Sequence, residues 1–242
     1  MKNKKILEVQ HIGVSFGGVN AVKDVSFFVA AQETVALIGS NGAGKTTVFH
    51  MLTGYTKPDS GRFFLCKKDL TGKSPSQICT AGIARTFQNI RLFSHMTVLE
   101  NVQIALEASL GHSEKDAREE AYLLLKAHEL SSFAHKLAGT LPYGEKRRLE
   151  LLRALATKPK LLLLDEPAAG QSPADREKLF FCLKQISESI PILFIEHDMN
   201  FIRALSDRVL AMHRGALIAE GTPDAVLSHP AVISSYLGGT LC

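Results

Sequence analysis

The sequence predicts an α/β fold with a mainly parallel core sheet, an N-terminal antiparallel β portion and an inserted helical subdomain. Three short apolar runs, at residues 34–38, 160–167 and 191–198, have the length and composition of strands that are buried on both faces. Segments of helical period separate such runs, and this alternation is typical of a parallel sheet covered by helices. Between residues 90 and 157 the helical period continues on its own, which predicts the inserted subdomain.

The N-terminal part of the chain is predicted to be rich in strands. Residues 6–16 alternate loosely between apolar and polar side chains, and residues 25–29 form a second β-prone run. The buried strand at 34–38 leads into a glycine-rich loop and then into a helix that begins near Lys45. We expect this helix to stop at Gly54, because a glycine commonly follows the last turn of a helix.

Helices and short strands complete the predicted order of elements. The inserted subdomain contains two helical segments, 97–111 and 113–130, with Gly111 between them. A later helix has Pro173 in its first turn, where proline is well tolerated. The remaining predicted elements are two short strands at 208–213 and 216–221 and short helices around 223–237.

Length and composition describe an ordinary globular chain. Its 242 residues, 45% hydrophobic and 21% charged, fit one large domain with an inserted lobe. The net charge is +4, but the cations are dispersed, so nucleic acid is not a favoured partner. The four cysteines have no regular spacing, which favours free thiols over disulfides or zinc. No N-terminal signal is visible, and no apolar run approaches the roughly 18 residues of a membrane span, so we expect a soluble chain.

A glycine-rich loop between the strand at 34–38 and the next helix matches the pattern GxxxxGK[ST]. In such a loop, backbone N–H groups turn inward around phosphate oxygens, and the helix N-terminus adds its partial positive charge. We expect Lys45 to reach the β- and γ-phosphates and the Thr46 hydroxyl to bind Mg²⁺. The loop predicts that the chain binds a nucleoside triphosphate through Gly39, Ser40, Asn41, Gly42, Ala43, Gly44, Lys45 and Thr46.

Acidic residues and a histidine follow two of the other apolar strands. Asp165 and Glu166 end one of these strands, and His197 ends another. In an open α/β sheet, ligands collect at the carboxyl ends of the strands, where the glycine-rich loop also lies. We expect Asp165 to hold Mg²⁺ and Glu166 to orient and deprotonate the attacking water. His197 is expected to contact the γ-phosphate, although a lone histidine at a strand end is more often simply solvated.

Five sequence blocks, in this order and at these separations, resemble the nucleotide-binding subunit of ABC transporters over nearly the whole chain. The blocks are GSNGAGKTT (39–47), RTFQN (85–89), LPYGEKRRLELLRAL (141–155), LLLLDEP (161–167) and IEHD (195–198). The resemblance implies the fold of a P-loop NTPase and ATP hydrolysis coupled to transport across a membrane. It also implies one nucleotide-binding domain over 1–242, with 1–89 and 158–242 as the catalytic core and 90–157 as the helical subdomain.

The resemblance assigns further residues to the ATP site. Phe16 would stack on adenine, as aromatic side chains do with bases, unless it is an ordinary strand aromatic. Thr47 would belong to the phosphate loop, and Gln88 would touch Mg²⁺ and the attacking water while linking the core to the helical subdomain. A signature loop would reach the ATP held by the opposite subunit, so that each site is shared across a head-to-tail dimer. This loop comprises Leu141, Pro142, Tyr143, Gly144 and Glu145.

Two positions depart from the family's pattern. The usual signature, LSGGQ, has a serine and a glycine where this chain has Pro142 and Tyr143. Without the serine hydroxyl, the contact with the γ-phosphate must rest on backbone N–H groups near Gly144 and the start of a helix predicted to open at Glu145. Ser172 stands where the family usually has an aspartate that faces the dimer partner. The cations expected on the helix surface near the dimer seam are Lys146, Arg147 and Arg148.

Longer stretches narrow the resemblance to the ATPase subunits of bacterial importers for branched-chain amino acids. These stretches are RTFQNIRLFSHMTVLENV, YGEKRRLE, DEPAAG and HPAVISSYLGG. The implied partners are a second ATPase subunit, identical or a sister chain, two membrane permeases and, indirectly, a solute-binding protein. The implied location is the cytoplasmic face of the cell membrane.

Three alternative functions fit the sequence to different degrees. Importers of urea or short amides have closely related ATPases and stay open as an alternative. A soluble ABC ATPase that acts on nucleic acid or ribosomes fits less well, since such proteins usually carry a second cassette or a long coiled-coil insertion. A nucleotide-dependent scaffold with little hydrolysis is disfavoured because Glu166 and His197 are both retained.

Overall fold

Two β-sheets flanked by helices make up the protein. The computed structural model describes residues 4–237. The strands are β1 (Lys5–Phe16), β2 (Val19–Ala30), β3 (Thr34–Ile38), β4 (Ser60–Leu65), β5 (Lys68–Asp69), β6 (Ile83–Arg85), β7 (Leu161–Asp165), β8 (Ile192–Ile195), β9 (Arg208–His213) and β10 (Ala216–Gly221). The helices are α1 (Lys45–Leu52), α2 (Pro75–Ala81), α3 (Val98–Leu110), α4 (Glu114–Ala127), α5 (Tyr143–Ala156), α6 (Pro173–Ser187), α7 (Met199–Leu205), α8 (Pro223–Leu227) and α9 (Pro230–Leu237).

The core sheet is mainly parallel, which confirms the predicted fold class. Its strand order is β10-β9-β3-β8-β7-β6, and within the described range only β10 pairs antiparallel to its neighbour. All residues of β3, β7 and β8 are buried, which explains their continuous apolar sequences, since other layers cover both faces of these strands. Their carboxyl ends lie at one edge of the sheet, where β3 leads into α1.

The predicted N-terminal β portion is a separate antiparallel sheet with the order β2-β1-β4-β5. It shares one hydrophobic core with the core sheet and α1, in which Phe27, Phe49 and Phe63 are buried. The hairpin of β1 and β2 is therefore packed against the end of the core sheet that carries the glycine-rich loop.

The helices α3, α4 and α5 pack around a hydrophobic core of their own. Val98, Leu106, Leu125 and Leu149 are fully buried in it. These helices occupy the segment for which the sequence predicts the inserted subdomain, and α5 leaves this layer to contact β6 and α6 of the core.

The longer helices and strands agree with the sequence predictions, whereas several short elements were missed. The stop near Gly54 is confirmed: α1 ends at Leu52, and Gly54 adopts the left-handed φ of +76°. β4, β5, β6 and α2 had no counterpart in the prediction, because they are too short to show a clear period. The predicted helix start at Glu145 is wrong. Helix α5 begins at Tyr143, since Pro142 adopts an extended conformation that leads directly into the first turn.

Between residues 4 and 237, no helix combines the length and the apolar character that a membrane span needs. Cys66, Cys79 and Cys182 are free thiols, as predicted. Cys242 lies outside the described residues.

Candidate active site

The glycine-rich loop joins the carboxyl end of β3 to α1. Gly44 is the N-cap of α1 with a φ of 103°, and a Cβ atom there would lie 2.5 Å from the carbonyl oxygen of Ala21. Only glycine fits such a position. No side chain caps this helix, and the first N–H groups of an α-helix have no partner within it. These N–H groups are therefore free to bind phosphate oxygens at the positive end of the helix dipole.

The Lys45 side chain folds back over the loop. Its Nζ atom donates to the carbonyl oxygens of Gly39 at 2.7 Å and Ser40 at 3.1 Å. Burial lowers the pKa of Lys45, and the nearby carboxylates of Glu166 and Asp165 partly offset that effect. The ammonium group is thus held above the loop by weak acceptors, and the phosphates of a nucleotide would be stronger ones.

Gln88, Glu166 and His197 meet at the edge of the core sheet. The Gln88 Nε2 atom donates to Glu166 Oε2 at 3.0 Å, and His197 Nε2 lies 3.2 Å from Glu166 Oε1. Glu166 follows β7 and His197 follows the neighbouring strand β8, so the sheet itself brings the two side chains together. The Glu166 side chain keeps 20% of its surface exposed, which leaves its carboxylate accessible to water.

Glu166 has an unusual backbone conformation. Its φ of +48° lies in the left-handed region, which few residues other than glycine adopt. Its N–H group donates to the carbonyl oxygen of Ile195 at 3.0 Å. The chain therefore turns sharply directly after β7, and the turn presents the Glu166 side chain at the sheet edge.

Asp165 is paired with a cation that the sequence analysis did not assign. Arg85 Nη2 donates to Asp165 Oδ2 at 2.7 Å, and both side chains are only 5% exposed. The guanidinium group of Arg85 also lies over the rings of Phe49 and Phe87. Arg85 thus fixes the orientation of the Asp165 carboxylate, although its place in the RTFQN block gave no sign of this role.

The predicted magnesium ligands are suited to that ion. Thr46 is exposed at the start of α1, and Asp165 and Gln88 offer carboxylate and amide oxygens at the neighbouring strand ends. Oxygen atoms are the ligands that Mg²⁺ prefers. In residues 4–237 there is no cluster of three or more His, Cys, Asp or Glu side chains that could hold a metal ion.

Phe16 lies at the tip of the β1–β2 hairpin. It is paired with Val19 across the turn, and its ring is 52% exposed. The backbone of Ala21 in the same hairpin touches the glycine-rich loop at Gly44. An exposed aromatic ring next to the loop suits adenine stacking, which stays a prediction.

The predicted signature loop forms the start of α5. Pro142 is the N-cap and makes no side-chain capping bond, so the first N–H groups of this helix are also free. Gly144 is buried, and a Cβ atom there would lie 2.6 Å from Cγ of Asp175. The Tyr143 ring is 45% exposed, and its hydroxyl donates to the carbonyl oxygen of Ala169 at 3.3 Å.

The first and last residues of the signature loop contact other residues of the same chain. Leu141 is buried in the core of the helical subdomain. Glu145 Oε2 accepts a hydrogen bond from Arg148 Nη1 at 2.9 Å. Pro142 and Tyr143 are therefore the exposed members of the loop.

Ser172 is the N-cap of α6. Its Oγ atom accepts from the Asp175 N–H group at 3.2 Å and donates to Asp175 Oδ2 at 2.7 Å. Serine and aspartate are both favoured N-caps, which explains how serine can replace the family's usual aspartate without loss of the helix start. Contact between this position and a second subunit stays a prediction.

The expectation of a surface cation at Arg147 is wrong. This side chain is 2% exposed, pairs with Glu150 at 2.8 Å, and donates to the backbone carbonyls of Phe87 and Glu166. Its face of α5 is covered by the core, because α5 packs against β6 and α6. A single sequence does not show which face of this helix the core covers.

Two further side chains hold the site and were not predicted. The buried carboxylate of Glu196 accepts from the N–H groups of Ala168 at 2.8 Å and His197 at 2.9 Å. The Tyr236 hydroxyl accepts from the Gly39 N–H group at 2.8 Å. Glu196 lies within the IEHD block, but no residue pattern connects Tyr236 to the start of the glycine-rich loop.

Two models of known protein families match parts of the chain. The family model described as "ABC transporter" matches residues 22–169. A second model, described as "Branched-chain amino acid ATP-binding cassette transporter", matches residues 216–240.

Curated proteins with similar sequences match nearly end to end. The chain is 39% identical to the high-affinity branched-chain amino acid transport ATP-binding protein BraF of Pseudomonas aeruginosa, over 98% of this chain and 99% of that protein. It is 38% identical to LivG of Escherichia coli, a protein of the same description, over the same shares. Among solved structures, an ATP-binding cassette of an ABC transporter in its ADP conformation superposes with a TM-score of 0.88 at 33% identity, covering 98% of this chain and 100% of that chain.

Proposed function

The chain belongs to the ABC transporter family and is an ATPase coupled to transport, and we propose that it powers an importer of branched-chain amino acids. One observation carries the choice of solute class. The model for branched-chain amino acid cassettes matches residues 216–240, a segment outside the general ABC match. The descriptions of BraF and LivG support the same class. An importer of urea or short amides is the alternative.

The geometry supports separate roles for different residues of one chain. The free N–H groups at the start of α1 and the ammonium group of Lys45 bind the β- and γ-phosphates, and Phe16 stacks on adenine. Glu166 accepts the proton of the attacking water. The hydrogen bonds from Gln88 and His197 hold its carboxylate toward the γ-phosphate and leave it exposed to water.

Magnesium would be held by Thr46, Asp165 and Gln88 together with phosphate oxygens. When bound, the ion neutralises the charge that develops on the transferred phosphoryl group. Arg85 supports this role by fixing the Asp165 carboxylate at 2.7 Å. Lys45 and the α1 N–H groups supply the remaining positive charge around the phosphates.

A second ATPase subunit would complete each site. The N–H groups of Tyr143 and Gly144 at the uncapped start of α5 would bind the γ-phosphate of ATP held by the partner. ATP would then join the two subunits head to tail, close the dimer and move two membrane permeases, and hydrolysis would reset the dimer. The ATPase would sit peripherally on the cytoplasmic face of the membrane and meet a solute-binding protein only indirectly.

Uptake by cells that lack this chain tests the solute class. We expect loss of the chain to abolish uptake of radiolabelled leucine, and the wild-type chain to restore it. A matched chain with Lys45→Ala is expected not to restore uptake, because it binds ATP poorly. Uptake of radiolabelled urea and acetamide is measured in the same cells. Loss of urea or acetamide uptake with normal leucine uptake would overturn the proposal in favour of the alternative.

A further inference from the structure

A buried ion pair lies on α5, behind the signature loop. Arg147 Nη1 and Glu150 Oε2 are 2.8 Å apart, and their side chains are 2% and 6% exposed. Two charges removed from water in this way need further hydrogen bonds to be stable. The partners that supply those bonds are backbone atoms of the two segments that carry Gln88 and Glu166.

Arg147 binds the backbone around Glu166. Its Nη2 atom donates to the carbonyl oxygens of Glu166 at 2.7 Å and Asp165 at 3.3 Å, and its Nε atom donates to that of Pro167 at 3.2 Å. Three consecutive carbonyl groups thus point at one guanidinium group. The planar guanidinium presents donors in fixed directions, which a lysine ammonium group cannot do.

Glu150 binds the backbone next to Gln88. Its Oε1 atom accepts from the N–H groups of Phe87 at 3.3 Å and Arg91 at 3.2 Å. Arg147 Nη1 donates to the carbonyl oxygen of the same Phe87. Both backbone polar groups of the residue before Gln88 are therefore bound by the pair.

We propose that Arg147 and Glu150 are a positioning pair for the reactive carboxylate of Glu166. They hold Glu166 in its left-handed conformation, with φ of +48°, and set the 3.0 Å contact between Gln88 and Glu166. A residue stays in a sparsely populated conformation only when its surroundings hold it there. Because the pair lies on α5, a displacement of the signature loop moves the Glu166 backbone and the Gln88 segment together. The inference deepens the proposed function, since it rests on ATP hydrolysis by Glu166.

The test is a cycle of variants of the full-length chain, assembled with its partner subunits: Arg147→Lys, Glu166→Gln and the double variant. Single-turnover hydrolysis of γ-³²P-ATP gives the rate, and a fluorescent ATP analogue gives the affinity. We expect Arg147→Lys to slow hydrolysis about 10- to 100-fold, as small misplacements of reacting groups do. The affinity for ATP is expected to stay within about two-fold, because neither α1 nor Lys45 is touched.

The double variant of Arg147→Lys and Glu166→Gln shows whether Arg147 positions Glu166 or only stabilises the fold. If Arg147 acts through Glu166, then Arg147→Lys has little further effect on a chain that already carries Glu166→Gln. Glu150→Gln is the second probe, should the lysine variant fold poorly, and the same pattern is expected from it.

Arg208→Lys is the matched control. Like Arg147, Arg208 binds both carboxylate and backbone carbonyl oxygens, but it lies at the opposite end of the core sheet. Its partners are Glu33, Glu220 and the carbonyl group of Phe28. We expect Arg208→Lys to lower the melting temperature of the chain without changing the rate of ATP hydrolysis. The proposal is overturned if Arg147→Lys leaves the rate unchanged, or slows Glu166→Gln by the same factor as the wild type. These readouts need only ATP hydrolysis, so they are independent of the uptake experiment on the solute.

Discussion

The helix starts of α1 and α5 differ from those of most other helices. Helices α2, α3, α4, α6 and α7 each begin with a Ser, Thr or Asp whose side chain accepts a hydrogen bond from the first turn. Helices α1 and α5 begin with Gly44 and Pro142, which make no such bond. Among the α-helices whose N-cap the structure describes, only the five-residue α8 resembles them. A side-chain cap occupies the N–H groups that a phosphate would use, so the uncapped starts keep those donors available.

The start of α1 also differs from the start of α5. A cation, Lys45, lies in the first turn of α1, whereas the first turn of α5 contains the acidic residue Glu145. The exposed residue at the start of α5, Tyr143, is bound to Ala169 of the same chain. We therefore expect α1 to hold phosphates within one chain, and α5 to complete a site that already carries nucleotide and magnesium.

Lys45→Ala removes the cation that distinguishes the two helix starts, and it has the largest expected effect. Loss of a charge-assisted hydrogen bond of about 1.5–3 kcal/mol predicts an affinity for ATP about 10- to 100-fold weaker. Equilibrium titration with a fluorescent ATP analogue measures this. Lys68→Ala, at an exposed position on β5, is the control and should bind ATP normally. An unchanged affinity in Lys45→Ala contradicts the assignment of the loop.

Gly144→Ala perturbs the start of α5 where it packs against Asp175 of α6. The new Cβ atom meets the Asp175 carboxylate at 2.6 Å, and relief of such overpacking costs about 1–3 kcal/mol. We expect ATP hydrolysis by the assembled transporter to fall about 10-fold, with ATP affinity of the isolated chain unchanged. Asp175→Ala, added to Gly144→Ala, makes room for the methyl group and should restore most of the rate. Equal loss in the single and double variants counts against the steric explanation.

Tyr236→Phe removes a hydrogen bond that the glycine-rich loop makes, without changing a residue of the loop. Burial raises the pKa of the Tyr236 hydroxyl, so the group is protonated and neutral at physiological pH. The phenylalanine leaves the Gly39 N–H group without its acceptor, which costs about 0.5–1.5 kcal/mol. ATP binding should weaken by about 3- to 10-fold in the same titration, whereas Tyr122→Phe, at an exposed position on α4, should have no effect.

Ser172→Ala has the smallest expected effect, because the Ser172 side chain caps α6 and is not expected to touch the nucleotide bound by its own chain. Loss of the Ser172 cap should lower the free energy of unfolding by about 1 kcal/mol in urea denaturation. Ser172→Asp should be nearly neutral, since aspartate is an equally good cap. Neither variant should change the affinity of the single chain for ATP. A marked change in that affinity would show that the capped starts also take part in nucleotide binding.

Those parts of the site that are built from continuous segments of the chain could be predicted from the sequence. The buried strands β3, β7 and β8 could be recognised from continuous apolar runs, and parallel pairing then placed Glu166 and His197 at one edge. The loop at Gly44 and Lys45 was recognisable because its glycines and lysine have a fixed spacing.

The remaining parts depend on packing between distant segments. The side chain of Arg147 points into the core because α5 packs against it. In the sequence, however, Arg147 has the same polar character as its partly exposed neighbours Lys146 and Arg148. Arg85 contacts Asp165 and Tyr236 contacts Gly39 through hydrogen bonds that span 80 and 197 residues, respectively. A pattern within one short segment does not encode such contacts.

The central claim is that the two uncapped helix starts, α1 and α5, are the phosphate-binding parts of one shared ATP site. Backbone hydrogen exchange of the Glu166→Gln chain, assembled with its permeases and measured with and without magnesium-ATP, tests it directly. We predict that ATP slows exchange at residues 39–47 and at 143–145, and leaves the capped starts of α3 and α4 unchanged. Protection at 39–47 with none at 143–145, or equal protection at the capped starts, would contradict it.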